Sequence, residues 1–108
     1  MEYDFHTILW AVRDWMAQVP FTPDILHDDA DGLRVIWETA EHLAELIVRE
    51  SEYAPYKWVA FTILDVRLEP GQEPVYSYHD REGSSLEEIL AALGRGVAMM
   101  EERREYHV

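Results

Sequence analysis

Cysteine is absent from the 108 residues, so disulfides, a thiolate nucleophile and cysteine-ligated zinc are all excluded. Positive charge is scarce. Nine Lys and Arg face 22 Asp and Glu for a net charge of −13, and Lys57 is the only lysine. Direct nucleic-acid binding is thereby disfavoured, because it depends on cations that neutralise phosphates. An acidic surface instead keeps a protein soluble or attracts basic partners. No apolar run approaches the ~18 residues of a membrane span. The opening MEYDFHTILWAV lacks the basic start of a signal peptide, so a cytoplasmic chain without membrane contact is expected. Repeats, low-complexity tracts and linkers are also missing, and the length suits one domain over 1–108.

What is present is an ordinary globular composition, 48% hydrophobic, enough for one modest core. The periodicity predicts a helix over 4–19, with Phe5, Ile8, Leu9, Val12, Trp15, Met16 and Val19 on one arc and Tyr3, His6 and Trp10 opposite. Pro20 stops it, and PFTP reads as a loop. A second helix is predicted over 33–50, with a stripe of Leu33, Ile36, Trp37, Ala40, Leu43, Ala44 and Ile47. Glu45 and Arg49 would pair across one turn of it. Its beginning, LRVIW, also has the β-branched and aromatic content of a short strand.

KWVAFTILDVRLE (57–69) reads as a strand. Both of its alternate sets are apolar in the middle, which predicts cover on both faces. EPGQEP suits a turn around Pro70-Gly71, and VYSYHD (75–80) returns as the second strand of a hairpin. Ser84 and Glu87 fit a capping box for a last helix over 85–104, whose face is Leu86, Ile89, Leu90, Leu93, Val97 and Met100. The expected fold is α+β: a β-hairpin-based antiparallel sheet of two to four strands packed by three helices, in the order α-α-β-β-α. Any extra strand would fall near 33–38 or 22–27.

Four stretches bear on chemistry. HDDADGLRVIWE (27–38) places Asp29, Asp31, Gly32 and Glu38 at calcium-loop spacings. It begins, however, with His27 where an oxygen ligand belongs, carries Arg34 at a usually aliphatic position, and follows Pro20 and Pro23 rather than a helix. An acidic turn in which Asp31 caps the following helix is the preferred reading, with no metal site. Tyr76, Tyr78, His79 and Asp80 at the hairpin end could form a small-molecule or catalytic site. His79 and Asp80 are strand neighbours, though, and must point to opposite faces. Gly94-Arg95-Gly96 lacks the third glycine and the preceding strand of a phosphate loop, so close packing at Gly96 is the expected role. His6, His42 and His107 share no ligand spacing and are expected at the surface or the core edge. Neither a cofactor nor a catalytic residue is assigned.

Tyr3, His6 and Trp10 give the first helix a second aromatic face. That face is either sandwiched within the domain or meets a partner. The sequence therefore favours a small acidic non-enzymatic protein that binds another protein, of a basic kind, or its own copy as a homodimer. Inhibitors, immunity proteins and charge mimics are class-level analogies. The alternative is a small-molecule-binding domain or enzyme at the hairpin end.

Overall fold

The computed structural model describes residues 4–50, 56–67 and 73–105. Among these the order is α1 (Phe5–Met16), β1 (Pro23–Asp29), β2 (Gly32–Glu38), β3 (His42–Arg49), β4 (Val59–Asp65), β5 (Tyr76–His79) and α2 (Leu86–Glu105). The strands form one antiparallel meander, β1-β2-β3-β4-β5. The domain is α+β, but with two helices and five strands rather than three helices and two to four strands.

The predicted helix over 33–50 is a β-hairpin. Leu33, Val35 and Trp37 alternate with outward residues on β2, as do His42, Ala44, Leu46 and Val48 on β3, and these inward residues are buried. Thr39 makes the turn: its N–H donates to the His42 carbonyl, and its hydroxyl accepts from the N–H groups of Glu41 and His42. Val35, Ile36, Thr39, Ile47 and Val48 are β-branched, which favours the extended chain. Glu45 does not pair with Arg49. It takes Arg34 at 2.7 Å across the hairpin, while Arg49 Nε donates to the Tyr56 hydroxyl.

The expected helix cap at Asp31 is likewise a hairpin turn. Asp29 Oδ1 accepts from the Asp31 N–H at 2.7 Å, an Asx turn that leads into Gly32. Gly32 faces Arg49 so closely that a Cβ there would lie 2.6 Å from the Val48 carbonyl oxygen. All seven residues of β1 are exposed, and its register with β2 shifts between Ile25 and His27.

The remaining elements follow their apolar patterns. Asp4 caps α1 by accepting the Thr7 N–H at 2.7 Å, and Phe5, Ile8, Leu9 and Val12 are buried below. The α2 cap falls one residue beyond the expected Ser84. Ser85 accepts from the Glu88 N–H, whereas the Ser84 hydroxyl accepts from the Arg81 N–H. Ile89, Leu93, Val97 and Met100 of α2 are buried. Helix α1 lies over β2 and β3, and α2 over β4 and β5. Between helices and sheet, the rings of Trp15, Trp37 and Phe61 meet edge to face at centroid distances of 6.2–6.3 Å. Gly96 admits α2 to the sheet, since a Cβ there would come within 2.6 Å of Phe61 and 3.0 Å of Tyr76.

Both helices pack on the same face of the sheet. On β4, Val59, Phe61 and Ile63 are fully buried, whereas Leu64 on the other face is exposed. The expected cover on both faces of this strand is only partial among the described residues: on the second face Ala60 is buried beside Tyr56, which stacks on His79, while Leu64 is open. β4 also lies between β3 and β5, so it needs no strand from a partner. The predicted turn at Pro70-Gly71, together with Tyr3 and His107, lies outside the described residues.

Candidate functional site

The hairpin-end residues are adjacent in sequence but divided by the strand's alternation. Tyr76 and Tyr78 face the helices; Ser77 and His79 face away. The Tyr76 hydroxyl donates to the Ala92 carbonyl oxygen at 2.6 Å and ties β5 to α2. Asp80 is buried, and its Oδ1 accepts from the N–H groups of Trp58 and Val59, each at 2.8 Å. These two side chains thus hold backbone. Tyr78 is half-buried, and burial, the largest influence, raises its pKa above the usual phenol value. A hydrogen bond with Ser84 opposes this, and the nearby Asp80 and Glu88 carboxylates add to it. His79 stacks on Tyr56 at 6.0 Å on the far side of the sheet. A groove of about 710 Å³ runs between β5 and α2 past Tyr78, Ser84, Glu87, Glu88 and Arg95. Of the four residues proposed from sequence, Tyr78 and His79 line it, and Tyr76 and Asp80 do not.

The calcium-loop spacing does not survive folding into a hairpin. Glu38 ends β2, six residues beyond Gly32, which is about 20 Å of extended strand. Its carboxylate cannot close a loop on Asp29 and Asp31. His27 Nε2 instead lies 3.0 Å from Asp29 Oδ1, and Asp29 is held below the usual carboxylate pKa by the Asp31 N–H and then by His27. Among the described residues no group of three His, Asp or Glu is arranged to hold a metal.

A buried polar cluster escaped the sequence reading. His42, expected at the surface or the core edge, is fully buried opposite Asp65, itself 7% exposed. Arg67 grips Asp65 through Nε and a terminal nitrogen at 3.0 and 2.8 Å and lies 3.7 Å from Glu41. The contacts secure the end of β4. Asp65 and His42 stand 23 positions apart, and only the β3–β4 register brings them together.

The exposed features are surfaces. Trp10 is 66% exposed on α1, beside exposed His6. The larger surface is the face of the sheet that the two described helices leave open, partly covered where Tyr56 stacks on His79 beside buried Ala60. Its middle holds Ile36, Leu43, Ile47, Ala60 and Leu64, with Val66 at the rim. Leu43 and Leu64 are direct cross-strand partners, as are Ile47 and Ala60. No known protein family matches the chain, and no curated protein or solved structure is significantly similar to it. Any functional reading therefore rests on these surfaces.

Proposed function

We propose that this chain is a small, non-enzymatic protein-binding domain that works in the cytoplasm and self-associates. The observation that carries this reading is the open sheet face, whose outward positions Ile36, Leu43, Ile47 and Leu64 hold apolar residues where a solvated antiparallel face ordinarily alternates to polar ones. Apolar surface that the fold leaves uncovered marks a contact site. The acids lie largely elsewhere: Asp4, Asp14, Asp28, Glu87, Glu88 and Glu101 are exposed on the helices or at β1. A basic protein would dock on that side. At the hairpin end, Tyr76 and Asp80 are engaged with backbone, which favours binding over chemistry there.

The test is capture by the immobilised full-length chain, comparing wild type with Leu64→Glu and His79→Ala. Binding lost in Leu64→Glu and kept in His79→Ala supports the reading. The reverse pattern would return the function to the hairpin end.

A further inference from the structure

We propose that two copies of this chain pack through the open faces of their sheets, forming a twofold sandwich with the helices outermost. This rests on the protein-binding reading above and names its partner as a second copy.

Charge singles out the occupant. A chain of net charge −13 resists its own copy wherever acids face acids. On the open face the register places Arg34 and Arg49 against Asp24, Asp29, Glu38 and Glu45, within two charges of neutrality, with Asp24, Asp29 and Glu38 on the edge strand or at strand ends. Arg34 and Glu45 already neutralise each other at 2.7 Å, so neither brings an unpaired charge into the contact. Arg49 is held by the Tyr56 hydroxyl. A strongly basic partner would find few free acids on this face, and an acidic partner would meet arginines already engaged. A near-neutral apolar surface fits it, and the same face of a second copy is such a surface. The sandwich also turns the acids of α1 and α2 away from the contact, where distance and salt weaken their repulsion.

The size is adequate. Five strands about 4.8 Å apart, seven or eight residues long except for the four of β5, cover a footprint of roughly 520 Å². Two copies together bury about 1,040 Å², at the ~1,000 Å² floor of specific interfaces. Two sheets packed at ~10 Å bring their central side chains into contact. Leu64, at 38% exposed, and Val66, at 48%, have apolar surface left to bury at this end of the face.

The native chain lacks cysteine, so single introduced thiols report the geometry directly. Thr62→Cys lies near the centre of the face, and Trp10→Cys lies on α1. Sedimentation at micromolar concentration in about 0.15 M salt should give twice the 12.7 kDa chain mass. A short bis-maleimide should link Thr62→Cys into dimers and leave Trp10→Cys monomeric. Leu64→Glu, with unchanged circular dichroism, should raise the dimer Kd at least ~10-fold, and Trp10→Ala should not. A wild-type chain that stays monomeric overturns the sandwich, as does linkage through Trp10→Cys instead of Thr62→Cys. A monomer that still captures another protein through Leu64 would retain the binding reading while losing this one; a monomer that captures nothing loses both.

Discussion

Replacing Gly96 with alanine should destabilise the domain, whereas the same change at Gly94 should stabilise it. Both glycines lie inside α2, where alanine is favoured over glycine by ~1 kcal/mol. At Gly94 nothing lies within 4 Å of an added Cβ, so the full ~1 kcal/mol should appear. At Gly96 the added carbon would meet Phe61 at 2.6 Å and Tyr76 at 3.0 and 3.1 Å. Neither ring can step aside freely. Phe61 is fully buried against Trp15 and Trp37, and the Tyr76 hydroxyl is bonded to Ala92 on the same helix. Overpacking a filled core costs ~1–3 kcal/mol, which exceeds or cancels the helical gain and leaves a net loss of ~0–2 kcal/mol. The two variants should therefore differ by ~1–3 kcal/mol. In a domain of this size each kcal/mol moves Tm by about 4–8 °C, so a thermal melt of each variant resolves them. Equal stabilisation by both substitutions would refute the close approach of α2 to the sheet at Gly96.

Asp80→Ala should cost ~1–4 kcal/mol in urea unfolding, because it strands the buried Val59 N–H and the part-buried Trp58 N–H; Asp80→Asn, which keeps an oxygen acceptor, should cost less. Gly32→Ala should cost more than ~1 kcal/mol by the same measurement, since its Cβ would press on the Val48 carbonyl oxygen at the β2–β3 junction. Tyr78 contributes stability that is complete below the unfolded phenol pKa of about 10 and is lost as pH rises through its higher folded value, because the unfolded chain ionises first. Tyr78→Phe should therefore flatten the fall in stability above pH ~10. Asp29 works in the opposite sense: its folded pKa is depressed, so its contribution is present above the unfolded value of about 4 and lost as pH falls through the folded one. Asp29→Asn should make the stability profile less steep below pH ~4.

Elements with a single apolar face were legible in the sequence. The predicted faces of α1 and α2 coincide with buried residues, and β4 and β5 fall within the expected strands. β1 carried little signal of its own, because a strand with no buried residue and a proline at its start has no alternation to detect. Asp80 with residues 58 and 59, and His42 with Asp65, depend on pairing between strands. No local spacing encodes such contacts. The functional residues suggested by adjacency at 76–80 were divided by the pleat for the same reason, since neighbours in a strand face opposite ways.

The helical periodicity of 33–50 has a more specific cause. A strand buried on one side should alternate, and the inward residues Leu33, Val35, Trp37, Ala44, Leu46 and Val48 do. The helical stripe arose because Ile36, Leu43 and Ile47, all outward-facing, are apolar as well and complete a 3.6-residue period with Leu33, Trp37 and Ala44. Had those three positions been Thr, Lys or Glu, the alternation would have been plain. The residues that blurred the secondary structure are thus the same ones that make the open face apolar. Neither described helix requires them there, as α1 and α2 pack on the other side. A sheet-to-sheet contact does require them. Ile36→Thr, Leu43→Thr and Ile47→Thr combined should then leave the monomer folded, with little loss of its own stability, while removing the concentration dependence of Tm that a dimer confers. A triple variant that unfolds would show that these side chains support the chain's own core. One that keeps its concentration dependence would move the interface elsewhere.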